Sequence, residues 1–304
     1  MDPDICLWFT SPGTPKSSVR VVLGVHHNRK VLDSHEKNIE LIWARRREKN
    51  PRLFNGSKFR LHSSDVQNGT VTLNMGLTCY KDYLGTNWAP DAKTLHHLGK
   101  RDFDNSQAYL SDPAGVGAMV QTSDGYVIFI RRSDKVGEAP GLWDVPGGHP
   151  EPQELLILLG KDKNLEIHDI PMDEFPHDAV VEEIYDSIIR EIRDEVNIPV
   201  ESLSEPLLLG VAGNNTSAGR PSIEFYVKCS LSSNEVKALY SAGGPEAEES
   251  TSMALVHLKD INELDKSAMW KEIAPHARAC VRLFQSYRKT LRKKTNNHSL
   301  NQVQ

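Results

Sequence analysis

The stretch REIRDEVNI, residues 190–198, decides how the rest of the chain is interpreted. It ends a predicted helix whose core face is formed by apolar residues at every fourth position: Val180, Ile184, Ile188, Ile192 and Val196. At about 100° per residue, Glu191, Asp194 and Glu195 converge on a different face. These like charges repel one another unless solvent, bases or divalent cations neutralise them, and such oxygen ligands suit Mg²⁺ or Mn²⁺. Taken alone, however, three acids on a helix usually form a solvated surface.

The composition limits the classes of protein and partner. The 304 residues favour two folded units, and 38% hydrophobic with 25% charged residues predicts a globular chain with a sizeable core. With a net charge of −5 the chain has no global attraction to nucleic acid or membrane, so a phosphate-bearing ligand needs a local site or a metal. No apolar run approaches the roughly 20 residues of a membrane-spanning helix. Four scattered cysteines without zinc spacing predict an intracellular protein of the cytoplasm or nucleus.

Periodicity and turn residues divide the chain into units. The pattern predicts a helix over 33–50, a hairpin across Asn68-Gly69 and a second hairpin across Ser123-Asp124-Gly125. Further strands and helices then mix, as in an α/β or α+β sandwich. We therefore predict a smaller N-terminal α+β unit over residues 1–111, a larger domain over 112–291 and a flexible tail over 292–304.

A glycine turn earlier in the chain supports a metal-binding interpretation of the acidic helix. Trp143-Asp144-Val145-Pro146-Gly147-Gly148 precedes the helix, and Glu154 follows Gly148 after five intervening residues. Together with the helix, this resembles the Nudix hydrolase signature G-x5-E-x7-R-E-U-x-E-E-x-G-U, whose loop-helix-loop holds divalent metal against a nucleoside diphosphate. The matching residues are Gly148, Glu154, Arg190, Glu191, Ile192, Glu195 and Ile198. The resemblance covers residues 112–258 and implies an α/β/α sandwich with a mixed sheet.

The chain departs from that signature in three places. Between Glu154 and Arg190 lie 35 residues where the family has seven, so 28 are inserted, and we expect them to pack near the cleft or stay mobile. Asp194 replaces a Glu and is one methylene shorter. Asn197 replaces the usual Gly, which is tolerable because Asn also adopts left-handed conformations.

Longer segments resemble the Nudix enzymes that act on UDP-glucose and UDP-galactose, notably LTCYKDYLGTNW, APGLWDVPGGHPEPQ and GGPEAEEST. That resemblance implies hydrolysis of a UDP-sugar to UMP and sugar 1-phosphate with Mg²⁺, or Mn²⁺, as the cofactor. The uridine specificity rests on the resemblance alone. Two alternatives stay open: a hydrolase of another nucleoside diphosphate derivative such as ADP-ribose, and a catalytically silent Nudix-like binding module.

The family resemblance also assigns roles near the metal. It implies that Glu191, Asp194, Glu195 and the Gly147 carbonyl bind metal, and that Arg190 pairs with Glu154 or Glu191. An exposed pair between Arg190 and Asp186 is the alternative. The base that activates water could come from Glu191 or from the acidic loop 243–249, where Glu249 and Glu246 are candidates; Glu183 could also face the site.

Substrate contacts are predicted on two segments. The loop 214–220 joins two predicted strands and offers Arg220 for a phosphate. The alternative is that it is an ordinary long hairpin loop with no role in binding. His149, next to the glycine pair, could also contact a phosphate. In the N-terminal unit, an aromatic surface with hydrogen-bonding groups could stack on and read a uracil, although core packing is an alternative for its aromatic members: Phe59, Arg60, Tyr80, Thr86 and Asn87.

Overall fold

The computed structural model describes residues 2–134 and 136–301, with side chains up to residue 293. The strands of this part of the chain are β1 (Ile5–Thr14), β2 (Val19–Leu23), β3 (Ser57–Gln67), β4 (Thr70–Cys79), β5 (Gly115–Gln121), β6 (Tyr126–Arg132), β7 (Trp143–Asp144), β8 (Gly147–Gly148), β9 (Leu207–Asn214), β10 (Arg220–Lys228) and β11 (Ser250–His257). The α-helices are α1 (Asp33–Lys49), α2 (Tyr80–Gly85), α3 (Ala92–Phe103), α4 (Pro152–Leu158), α5 (His177–Val196), α6 (Ser233–Ala242) and α7 (Pro275–Asn301). Among the described residues, no helix combines the length and apolarity needed to cross a bilayer.

The main sheet is mixed and lies between two helices. Its order is β1-β9-β10-β5-β6-β11, with β7 paired to β6 and β8 to β5; β10 and β5 are parallel, and the other pairs are antiparallel. Alternate residues of β5 point to opposite faces: Val116 packs in the cluster that contains Ile188 of α5, and Met119 in the cluster that contains Phe284 of α7. The predicted α/β/α sandwich with a mixed sheet is confirmed.

A smaller sheet lies on the outer side of α5. Its order is β2-β4-β3, and β2 packs against α5. The predicted hairpin connects β3 to β4 through Asn68 and Gly69, whose φ angles of 51° and 81° are those of a two-residue turn of the I′ type. The predicted helix over 33–50 and the second predicted hairpin are α1 and the β5–β6 connection.

One of the predicted unit boundaries differs from the sheet pairing in the structure. β1 does not belong to the small sheet: it pairs with β9 as an edge strand of the main sheet, so the predicted division at residue 111 leaves out one strand of the larger domain. The tail from residue 292 is helical as part of α7 to Asn301, its predicted flexibility stays a prediction, and residues 302–304 lie outside the described chain. Alternation identifies a strand, but it does not identify the sheet that the strand joins.

The insertion and the helix end explain how the interrupted signature still assembles. Ile170, Met172 and Phe175, all within the insertion, are buried in the core cluster between the small sheet and α5. The insertion therefore packs, and it leads directly into α5. At the other end of α5, Asn197 adopts the left-handed conformation (φ 64°, ψ 32°), as predicted, and its N–H donates to the Arg193 carbonyl at 2.8 Å.

Candidate active site

The glycine turn and the acidic helix meet, as the sequence predicts. The Gly147 N–H on β8 donates to Glu195 Oε2 on α5 at 3.0 Å. A Cβ atom at Gly148 would collide with the Glu191 carboxylate, so only glycine allows that carboxylate to lie there. Residues 48 positions apart in sequence therefore place two carboxylates against one turn of backbone.

A cavity of about 380 Å³ opens beside this turn, at one end of the main sheet. Seven carboxylates line it, including Glu138, which pairs with Arg220, and Glu151, which pairs with Lys58. We call the other five the acidic wall: Glu154, Glu191, Asp194, Glu246 and Glu249. Four basic side chains form what we call the cationic wall: Lys58, Arg132, Arg220 and His276. A cavity with both signs of charge suits a ligand that carries phosphates together with a metal ion.

The acidic wall is electrostatically strained without a cation. Burial, with Glu246 and Glu249 nearby, raises the pKa of Glu191 to about 7. Burial and the adjacent Glu191 raise the pKa of Glu195 well above its usual range. Each carboxylate thus resists ionisation, first because it is buried and then because its neighbours carry the same charge, and a divalent cation would offset that penalty.

The donor set fits a hard divalent cation, although the ligands are not yet gathered around one point. Among the described residues, no three carboxylate, imidazole or thiol groups form a ready metal cluster. Asp194 lines the cavity, but both of its carboxylate oxygens accept hydrogen bonds from Arg193 at 2.7 Å. Glu191 lines the cavity and Glu195 is held against the Gly147 N–H, whereas Asp194 has a competing partner. The predicted ligand set, including the Gly147 carbonyl, stays a prediction.

Arg190 has a different partner from those that the sequence suggested. Its Nη2 donates to Glu183 Oε1 at 2.7 Å, rather than pairing with Glu154, Glu191 or Asp186. The backbone N–H of Glu151 donates to the same oxygen at 2.9 Å. Glu183 is thus a buried anchor that ties α5 to the residue preceding α4. Its carboxylate is already engaged, which argues against the predicted alternative that it faces the site as a base.

Both candidate bases of the acidic loop line the cavity. The loop docks on the end of α5, where the Glu246 N–H donates to the Asp194 carbonyl at 3.2 Å. Glu249 is held from the other side, since its carbonyl accepts from the Ser133 N–H at 2.7 Å. Burial and the neighbouring Glu249 raise the pKa of Glu246. The choice between Glu246, Glu249 and Glu191 as the base stays a prediction.

Of the predicted substrate contacts, Arg220 lines the main cavity and Tyr80 lines a pocket that adjoins it. Arg220 lies in the cationic wall, pairs with Glu138 at 3.1 Å and donates to His149 Nε2 at 3.0 Å. Burial, reinforced by Arg220, holds the pKa of His149 well below its usual range, so this imidazole is neutral and accepts. Tyr80 lines an adjoining pocket of about 220 Å³, which we call the aromatic pocket, together with Tyr83 and other residues: Lys58, Trp88, Pro113, Arg132, Gly137, Glu138 and His149.

The other predicted contacts in the N-terminal unit lie away from the two cavities. Phe59 and Arg60 are fully buried, Phe59 in the core and Arg60 among backbone carbonyls. Thr86 is buried and donates to the Asp82 carbonyl at 2.7 Å, and Asn87 donates to Asp112 at 2.8 Å. These placements argue against substrate contact, because hydrogen-bonding residue types in a segment do not show which way the backbone turns them.

Several residues that line the two cavities, or that support them from behind, were missed from the sequence. Asp144 is 1% exposed and accepts from both Arg132 and His276, which lie 12 and 132 positions away. An aspartate inside a short apolar strand was a usable signal, because a buried carboxylate requires cationic partners. The residues next to Asp144 in the sequence do not indicate that its partners are Arg132 and His276. Lys58, Glu138, Tyr83 and Trp88 carried no comparable signal.

Comparison with known proteins gives the family. No protein-family model matches the chain, which is consistent with a signature interrupted by 28 residues. The chain is 44% identical over 291 residues to the uridine diphosphate glucose pyrophosphatase NUDT22 of Mus musculus, covering 93% of this chain and 91% of that protein. It is 43% identical to the Homo sapiens protein of that name, covering 93% of each. Nudix hydrolase 9 of Arabidopsis thaliana is 35% identical over 75% of this chain and 73% of that protein.

This chain therefore belongs to the Nudix hydrolase family. Among solved structures, a MutT protein from Methanosarcina mazei Go1 aligns with 58% of this chain and 93% of its own, at 14% identity and a TM-score of 0.32. That likeness is too low to carry an argument, and the assignment rests on the sequence relatives.

Proposed function

We propose that this chain is a Mg²⁺-dependent diphosphatase that hydrolyses UDP-sugars such as UDP-glucose and UDP-galactose to UMP and sugar 1-phosphate. The observation that carries the chemistry is the placement of Glu191 and Glu195 against the glycine turn, where like charges are held together as a cation would require. The names of the relatives from Mus musculus and Homo sapiens support the uridine nucleotide as substrate.

The carboxylates and the cationic wall would have different roles in the reaction. A pyrophosphate is a poor electrophile because its negative oxygens repel an incoming nucleophile. When bound, Mg²⁺ would neutralise that charge and make water easier to ionise. Glu191, Glu195 and the Gly147 carbonyl would hold it, and the cationic wall would bind phosphate oxygens. In the hydrolysis the oxygen of a water molecule would bond to one phosphorus as the bridging P–O bond breaks, which releases UMP and sugar 1-phosphate. The water's proton would pass to a carboxylate of the acidic wall, for which Glu249 and Glu246 are candidates because they line the cavity and are not needed to hold the cation.

The test is release of UMP and glucose 1-phosphate from UDP-glucose, with and without MgCl₂. Glu195→Gln is expected to lower kcat by at least about 100-fold, because an amide is a poorer ligand for Mg²⁺ than a carboxylate. Glu182→Gln is the matched control, since Glu182 lies on the exposed face of the same helix and pairs with Lys16.

Two outcomes would contradict the proposal. Wild-type turnover no faster than that of Glu195→Gln would favour a silent binding module. Turnover of ADP-ribose in clear preference to UDP-glucose would keep the metal chemistry and replace the substrate.

A further inference from the structure

The cationic wall is supported from behind by one buried carboxylate. Asp144 Oδ2 accepts from Arg132 Nη1 at 2.9 Å, and its Oδ1 lies 2.7 Å from His276 Nε2. The Val145 N–H donates to the same Oδ1 at 2.8 Å. Asp144 itself does not line the cavity, whereas Arg132 and His276 do. Among the described residues, its hydrogen-bonded contacts with cavity-lining side chains are those to Arg132 and His276.

Two basic side chains of the cationic wall, one of them held by Asp144, each have a nitrogen without a hydrogen-bond partner in the described part of the chain. Among the described residues, His276 Nδ1 and Arg220 Nε are buried without a hydrogen-bond partner. Buried donors are normally paired, so unpaired donors on cavity-lining side chains indicate a missing acceptor. Asp144 outweighs the effect of burial and raises the pKa of His276, which favours the imidazolium with a proton on both nitrogens.

The arrangement of the cavities indicates which phosphate these donors meet. The aromatic pocket shares Lys58, Arg132, Glu138 and His149 with the main cavity, so Lys58 and Arg132 of the cationic wall lie where the two cavities adjoin. The shared carboxylate, Glu138, is paired with Arg220. The rings of the aromatic pocket pack together, with the Tyr83 and Trp88 centroids 5.6 Å apart. A base stacked there would place the phosphate of its own nucleoside against Arg132 and His276.

We propose that Asp144 is a positioning residue that holds Arg132 and His276 as a clamp for the nucleoside-bearing phosphate of the substrate. The inference rests on the proposed function for the identity of that nucleotide, but the clamp itself requires only an anion. It assigns a role to a residue that touches neither substrate nor metal.

The test measures binding of UMP to the metal-free full-length protein in EDTA, by isothermal titration calorimetry, so that no catalytic step enters. Asp144→Asn keeps the shape of the side chain and removes its charge, and the dissociation constant for UMP is expected to rise about tenfold or more. Asp265→Asn is the matched control, because Asp265 pairs with Arg282 of α7 at 3.0 Å, away from the cavity.

A positioning role makes a second, sharper prediction. His276→Gln should weaken UMP binding on its own, and Asp144→Asn should add less in a His276→Gln background than in the wild type, because part of its effect passes through His276. Should Asp144→Asn fail to fold, His276→Gln and Arg132→Gln carry the test. UMP binding within twofold of the wild type in folded Asp144→Asn or His276→Gln would overturn the clamp.

The proposed function and the proposed clamp can be contradicted independently of each other. If UDP-glucose is not hydrolysed but UMP or AMP binding depends on Asp144, the proposed substrate is wrong and the clamp stands. If UDP-glucose is hydrolysed and UMP binding does not depend on Asp144, the clamp is wrong and the proposed function stands.

Discussion

Two buried ion clusters in this molecule look alike in composition and differ in how their donors are used. In the first, Arg60 pairs with Asp112 and donates to the carbonyls of His27, Gln107 and Leu110 at 2.7–3.1 Å. In the second, built on Asp144, the described structure leaves His276 Nδ1 unpaired beside a cavity. We call these the closed and the open cluster.

The difference distinguishes a cluster that stabilises the fold from one that is available to bind a ligand. A buried arginine whose donors are occupied by the fold has nothing left to offer a ligand, whereas a held cation with a free donor at a cavity is ready for one. Residue types alone do not reveal this difference, since the sequence predicts Arg60 as a substrate contact and assigns no role to Asp144. The following predictions are ordered from the largest expected effect to the smallest.

Breaking the closed cluster should cost stability and spare catalysis. Arg60→Met leaves Asp112 buried without its cation, and we expect the free energy of unfolding to fall by about 3–5 kcal/mol. Urea denaturation measures it, with exposed Arg52→Met as a control expected within about 0.5 kcal/mol of the wild type. Unchanged stability with lost UDP-glucose turnover would instead restore the substrate contact predicted from the sequence.

The acidic wall should make the metal-free protein less stable as pH rises. In the folded state the pKa of Glu191 is about 7 against an ordinary 4.5, so the folded state holds the proton more tightly. The resulting penalty is absent below pH 4.5 and complete above pH 7, and it amounts to about 3 kcal/mol at most.

Urea denaturation of the wild type and Glu191→Gln in EDTA measures this penalty. The variant should gain stability relative to the wild type between pH 5 and pH 8, and MgCl₂ should then stabilise the wild type more than the variant. Parallel pH profiles in EDTA would show that Glu191 ionises freely.

Displacing one carboxylate should affect turnover more than stability. The methyl group of Gly148→Ala would occupy the space of the Glu191 carboxylate, and we expect kcat/KM for UDP-glucose to fall about 100-fold. Gly160→Ala is a control for a glycine with open space around it, although its φ of +67° carries a backbone cost. Equal losses of turnover in the two variants would argue against the close approach of Glu191.

Short-range features of the fold could be predicted from the sequence. Turn residues placed both hairpins, and the left-handed tolerance of asparagine accounted for the end of α5 at Asn197. The meeting of Gly147 with Glu195 was also foreseen, because a family pattern supplied a contact that the 28-residue insertion hides.

The partner that a charged side chain takes among several candidates could not be predicted. Arg190 lies seven positions from Glu183, nearly two helical turns, and its choice over Glu154 depends on how α4 approaches. Asp144 and His276 meet only because α7 packs against the main sheet. Each of these contacts is selected by tertiary packing, which leaves no periodic trace in the neighbouring residues.

The pairing of β1 with β9 has a consequence for how the chain is made. Ile5 pairs with Asn214, so β1 leaves the ribosome about 200 residues before its partner. At a synthesis rate of about 5–20 residues per second, the strand waits for roughly 10–40 s. During that interval its backbone can be bound by a chaperone, and the nascent small sheet can fold before the larger one closes.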